Sequence, residues 1–177
     1  MERDLDRVER VVDALRAGGY DALICALPAN VLMLTGYWPV IGSAIATVTA
    51  DGRVALLAPD DERDLAEEGW ADQLQTFQPG GLDELRDVRA AALAPLAKVL
   101  RDVGLASGNA RVAFEGAGAI EPSSYVSLHI YGGAMRPLLE GALPRSRLVD
   151  GSDFIARLRA VKTPREVQHI ARSCSVA

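Results

Sequence analysis

Residues 21–27 form an apolar run closed by Gly18-Gly19 on one side and Pro28 on the other. Seven residues are too few for a typical helix but enough for a strand buried on both faces. Residues 73–78, 110–114 and 146–149 read as further short strands. Between them, apolar residues fall at helical spacing. Leu5, Val8, Val12 and Leu15, with Val11 beside them, predict a helix that the glycine pair stops. Residues 28–34 predict a short helix that Pro28 opens and Gly36 closes. A polar helix follows Pro59 and ends near Gly69, its first-turn acids placed where the helix dipole favours them. Leu85, Val88, Leu93, Leu96, Leu100 and Val103 describe a long amphipathic helix, in which Pro95 predicts a bend or a division into two helices. Pro122 opens a further helix through about residue 131, and Phe154, Ile155, Leu158 and Val161 line another.

The remaining apolar runs, 43–50 and 53–58, flank Asp51-Gly52, a dipeptide suited to a type I′ hairpin turn. Strands alternating with helices, plus one tight hairpin, predict an α/β fold. We expect three layers, α/β/α, around a mixed sheet of five or six strands.

At 177 residues the chain suits one domain able to build its own core. Its net charge of −5 and the lack of a concentrated basic run argue against a nucleic-acid partner. No apolar run approaches the roughly 20 residues needed to cross a bilayer, so no membrane partner is expected. The charged N-terminus has no signal-like apolar region. Cys25 and Cys174 are isolated, which suits a reducing compartment, and a cytoplasmic location is expected.

Few residues offer chemistry. His129 and His169 stand forty positions apart without acidic partners at metal-ligand spacing, so both are read as ordinary polar residues. Asp60, Asp61, Glu62 and Asp64 follow no calcium-loop spacing and read as a solvated helix start. The glycines of 116–121 lack the third glycine of a dinucleotide turn. Ser123 and Ser124 lack a nucleophile elbow, and Cys25, inside an apolar run, reads as a small buried hydrophobe. In 37–42, Tyr37, Trp38, Val40 and Ile41 gather in a loop bounded by Gly36 and Gly42. They either fold back into the core or form an exposed aromatic contact.

Near the C-terminus, Thr163, Pro164 and Glu166 make a capping box with proline at the first helical position. Val167, Ile170, Ala171 and Cys174 then give that helix an apolar face that something must cover, or that frays or packs on another copy. The run Leu158-Arg-Ala-Val-Lys-Thr-Pro-Arg-Glu-Val167 resembles the junction of the creatinase, prolidase and aminopeptidase P family. Asn30-Val-Leu-Met-Leu-Thr-Gly-Tyr37 is similar to that family's Asn-x-x-Tyr-Leu-Thr-Gly-Phe segment. Arg111-Val-Ala-Phe-Glu115 resembles its strand ending in glutamate.

The resemblance implies a ribonuclease-H-like creatinase N-terminal domain over 1–162. Residues 163–177 would start the helix that leads to a catalytic domain outside this chain. It implies a domain without catalytic residues or cofactor of its own. The five metal ligands, and their divalent manganese, cobalt or zinc, would belong to the catalytic domain. Implied partners are that catalytic domain and a second copy in a homodimer. Trp38, with Tyr37 second, would shape the partner subunit's substrate site. The alternative is a peptide- or protein-binding domain of a catalytically inactive relative. A free-standing small-ligand domain of flavodoxin-like type would need a phosphate-binding glycine turn that the sequence lacks.

Overall fold

The computed structural model describes residues 2–40, 43–80, 87–116 and 134–176. The strand at Ala22–Cys25 (β1) lies at the centre and is buried throughout. It pairs antiparallel with β2 (Ile45–Thr49), which pairs antiparallel with β3 (Val54–Pro59). On its other edge β1 pairs parallel with β5 (Arg111–Phe114), and β5 with β6 (Arg147–Asp150). β4 (Gln73–Phe77) adds parallel to β3, giving one mixed sheet ordered β4-β3-β2-β1-β5-β6.

Successive strand residues point to opposite faces, so β1 serves two cores. Ala22 and Ile24 join Leu96, Val99 and Leu100 of α4 (Val88–Asp102) and Leu138 and Leu139 of α5 (Met135–Ala142). Leu23 and Cys25 join Val11 and Leu15 of α1 (Leu5–Gly18), Val31 and Leu34 of α2 (Pro28–Thr35), and Ile155 and Leu158 of α6 (Ser152–Ala160). This is the expected three-layer α/β/α arrangement around a six-stranded mixed sheet. Two further helices are α3 (Arg63–Glu67), preceded by a 3-10 turn at Asp60–Glu62, and α7 (Pro164–Val176).

Several local expectations change. Leu5 is 64% exposed, and the buried stripe of α1 instead begins at Arg7, only 1% exposed, and Val8. The β2–β3 turn is not type I′. Gly52 has φ 90° while among the described residues only glycines take a positive φ, and the Gly52 N–H donates to the Thr49 carbonyl at 2.9 Å. That is a turn followed by a glycine bulge. Pro95 neither ends nor divides α4, since Ala92, Leu96, Val99 and Leu100 pack the helix against the sheet on both sides of it. α6 stops at Ala160, leaving Val161 exposed. α5 was not foreseen. The expected helix beginning at Pro122, with Ser123, Ser124 and His129, lies outside the described residues, as do Ile41, Gly42 and Leu85.

The end of α2 is fixed by glycine. Gly36 takes φ 71°, its N–H donates to the Leu32 carbonyl at 2.8 Å, and a Cβ there would lie 2.3 Å from the Trp70 ring. Left-handed backbone strain and the overlap act together. Gly36→Ala should therefore destabilise the fold by about 2–4 kcal/mol, read as a lower urea midpoint. An unchanged midpoint would show that Trp70 is free to move aside.

Candidate functional site

Three polar clusters organise the residues around α2 and α7. The first is the loop after α2. Tyr37 is 2% exposed, and its phenol donates to Glu62 Oε2 at 2.5 Å. The same oxygen accepts the Val40 N–H at 2.7 Å. Burial and the Glu62 bond push the Tyr37 pKa well above the usual phenol value. Glu62 is thus turned inward, which corrects its reading as part of a solvated helix start. Between the two clamped positions stands Trp38, 55% exposed. The expected aromatic pair is split: Tyr37 is a core residue and Trp38 a surface one.

The second cluster closes the C-terminal ends of β1 and β5. Glu115 is buried, and its Oε2 accepts the N–H groups of Ala26 and Leu27 at 2.5 and 2.7 Å. Asn30 Nδ2 donates to its Oε1. α2 begins after Leu27, which has no capping side chain, so Glu115 from another strand supplies the acceptor. Burial pushes the Glu115 pKa above the ordinary carboxyl value despite these three donors. Cys25 beside it is buried, its thiol pKa raised chiefly by burial and further by the Glu115 charge. A thiol so placed is a packing group.

The third cluster joins the two ends of the described chain. Thr163 N–H donates to Glu166 Oε2 at 3.0 Å, and Glu166 N–H to Thr163 Oγ1 at 3.2 Å, completing the expected capping box. Arg7 then grips this corner. Its Nε and Nη2 donate to the two Glu166 oxygens at 3.0 and 2.5 Å, and Nη1 and Nη2 donate to the carbonyls of Leu158 and Val161 at 2.7 and 2.9 Å. Asp4 caps α1 through the Arg7 N–H and accepts from Thr163 Oγ1 at 2.8 Å. Sequence reasoning missed Arg7. The available signal was its spacing of four and eight residues from Val11 and Leu15, both fully buried. A charge at that position of an apolar stripe asks for a partner.

The described residues do not fit a two-metal hydrolytic centre. Among them no group of three or more His, Cys, Asp or Glu side chains converges. Asp60 pairs with Arg63 at 3.2 Å while Glu62 points to Tyr37. His169 is exposed on α7, and His129 lies outside the described residues. Among the described residues no helix is long and apolar enough to cross a membrane.

The sequence profile of the creatinase/prolidase N-terminal domain matches residues 7–161. The chain belongs to the creatinase/prolidase N-terminal domain family. A search of curated proteins gives no match. Among solved structures, a prolidase from Pyrococcus horikoshii OT3 superposes with a TM-score of 0.59 at 17% identity, covering 97% of this chain and 40% of that one. A proline dipeptidase from Streptococcus pneumoniae TIGR4 gives 0.59 at 17% identity, covering 88% of this chain and 98% of that one. An aminopeptidase P from Streptococcus thermophilus gives 0.55 at 19% identity, covering 87% and 96%. These identities speak for the fold alone. This family member spans only 40% of the Pyrococcus prolidase. Within the creatinase/prolidase N-terminal domain, Asn30 and Glu115, from two separate segments carrying the resemblance, are bonded to each other.

Two tests follow from these clusters. Arg7→Met strands Glu166 and two carbonyls, and should cost about 3 kcal/mol by urea denaturation. Arg7→Lys should recover only part of it, because an ammonium cannot make the forked contact. Glu115 holds its proton more tightly folded than unfolded. Its contribution is therefore fully present below the ordinary value of 4.5 and is lost as pH rises through the raised folded value. The unfolding free energy of wild type minus that of Glu115→Gln should fall as pH rises above 4.5. A flat or rising difference would contradict the assignment.

Proposed function

We propose that this creatinase/prolidase N-terminal domain is the non-catalytic part of an Xaa-Pro dipeptidase or aminopeptidase. In this reading it supports dimerisation and presents Trp38 to the partner subunit's substrate site. The observation that carries it is the loop 37–40, where one buried carboxylate, Glu62, holds both Tyr37 and the Val40 N–H and leaves the indole between them outside. A rigid exposed aromatic is what a contact surface needs, since little side-chain entropy is lost on binding.

The parent's catalytic domain would follow α7 and carry the divalent metal, manganese, cobalt or zinc. The boundary at residue 163 is supported by α7, whose cap is anchored but which buries none of its residues 164–176. The two free cysteines suit a cytoplasmic protein.

In the parent enzyme, Trp38→Ala should lower kcat/KM for Xaa-Pro dipeptides about tenfold, a loss of about 1.4 kcal/mol in transition-state binding. The present chain, incubated with the same dipeptides and Mn²⁺, should give no turnover above background. Turnover by the chain, or an unaffected Trp38→Ala parent, would overturn the reading.

A further inference from the structure

A groove of about 390 Å³ runs between α1 and α6. Ala14, Phe154, Leu158 and Val161 make its apolar floor, and Arg10 and Arg157 flank it from the two helices. Among the described residues no acidic side chain lines it, although the chain as a whole carries a net charge of −5. The acids one turn away from these arginines, Asp6 and Asp13 on α1 and Asp153 on α6, lie outside the lining. Arg157 is exposed and meets no carboxylate among the described residues, and Arg10 donates only to the Lys162 carbonyl, at 3.4 Å.

The groove lies away from the side on which α7 meets α2. Arg157 and Arg159 are two residues apart, about 200° around a helix of 3.6 residues per turn. Arg159 faces the cleft between α2 and α7, where Leu32 and Ile170 stand, so Arg157 faces the opposite flank of α6. Arg10 reaches the carbonyl just past the end of α6, while Arg157 leaves that helix about one turn earlier. The two cations are therefore staggered along the floor. Arg7 also lines the groove, and Leu158 and Val161 of its floor supply the two carbonyls that hold the Arg7 guanidinium.

We propose that the α1–α6 groove is the docking site for an acidic amphipathic helix of a partner protein. The apolar stripe of that helix covers Phe154, Leu158 and Val161, and carboxylates one turn apart beside the stripe meet Arg10 and Arg157 in forked pairs. The stagger of the two cations matches the spacing of carboxylates at i and i+4 on a helix. A nucleic acid or an anionic bilayer needs a broad basic surface, which an acidic chain with two groove arginines does not offer. A docked helix lies on the Arg7 corner and is therefore felt at the root of α7. The groove serves an active or an inactive parent alike, so it stands apart from the Xaa-Pro reading.

The probe is a fluorescein-labelled helical peptide of Glu, Leu and Ala, its leucines at i, i+3 and i+7 with glutamates on both sides, titrated with the chain by anisotropy. Wild type should bind it with a Kd below about 1 mM, more weakly as salt rises. In two-dimensional amide NMR spectra the shifts should gather at residues 7–14 and 154–162. Arg10→Glu with Arg157→Glu should weaken binding about tenfold. The same peptide with lysines for glutamates should bind that variant better than wild type, which also shows that the variant is folded. Absence of binding overturns the proposal, as does equal binding by wild type and variant, or shifts confined to the α2–α7 side. Retention on phosphatidylglycerol vesicles without binding of the peptide would assign the groove to a membrane surface and overturn the helix. The full-length parent should bind the peptide as the chain does. A parent that does not has the groove covered by its catalytic domain, and the docking site is then refuted.

Discussion

The carboxylate of Glu115 is the constraint around which this domain is arranged. It sits at the end of β5, beside the central strand, and takes both N–H groups of the turn that leaves β1 and the amide of Asn30 one turn into α2. A charge-bearing group is costly to bury without donors, so its position fixes where α2 must begin. Once α2 is placed, its far end follows. Gly36 reverses the chain, the Trp70 indole donates to the Leu34 carbonyl at 2.8 Å, and the Trp70 N–H donates to the Thr35 carbonyl at 2.8 Å. The loop that carries Trp38 departs from that fixed point. The exposed indole is thus referred back, bond by bond, to a glutamate on the other side of β1.

The second anchor works by a different balance. Arg7 is wholly enclosed, and a guanidinium gains stability there only because its fork meets a carboxylate and two carbonyls together. Those partners come from the end of α6, the linker and the first turn of α7. The corner is therefore rigid although α7 itself covers little apolar surface. Polar bonding, not hydrophobic burial, sets the direction in which α7 leaves the domain.

Much of the architecture was legible in the sequence because β1 and β3 are short, apolar and bounded by glycine or proline, and the longer helices show their stripes. α5 escaped notice because Pro137 interrupts a pattern, Met135, Leu138, Leu139 and Ala142, that is otherwise regular. The type of the β2–β3 turn was beyond reach, since Asp51-Gly52 suits more than one turn geometry. The capping box at Thr163 was readable since its members are three residues apart. The bonds of Arg7 to Glu166, Glu62 to Tyr37 and Glu115 to Asn30 were not, because they join residues far apart in the chain. Such pairs leave at most a faint trace, a charged residue at a position whose helical neighbours are buried.

The grip of Arg7 bears on the order in which the domain is made. Every side-chain partner and carbonyl that its guanidinium engages lies between residues 158 and 166. As the chain emerges from the ribosome, its first helix keeps an unmatched cation on its inward face until nearly the whole domain has been synthesised. The apolar face of α1 can pack on β1 and β2 early, but the corner that α1 forms with α7 can close only once residues 158–166 have been made.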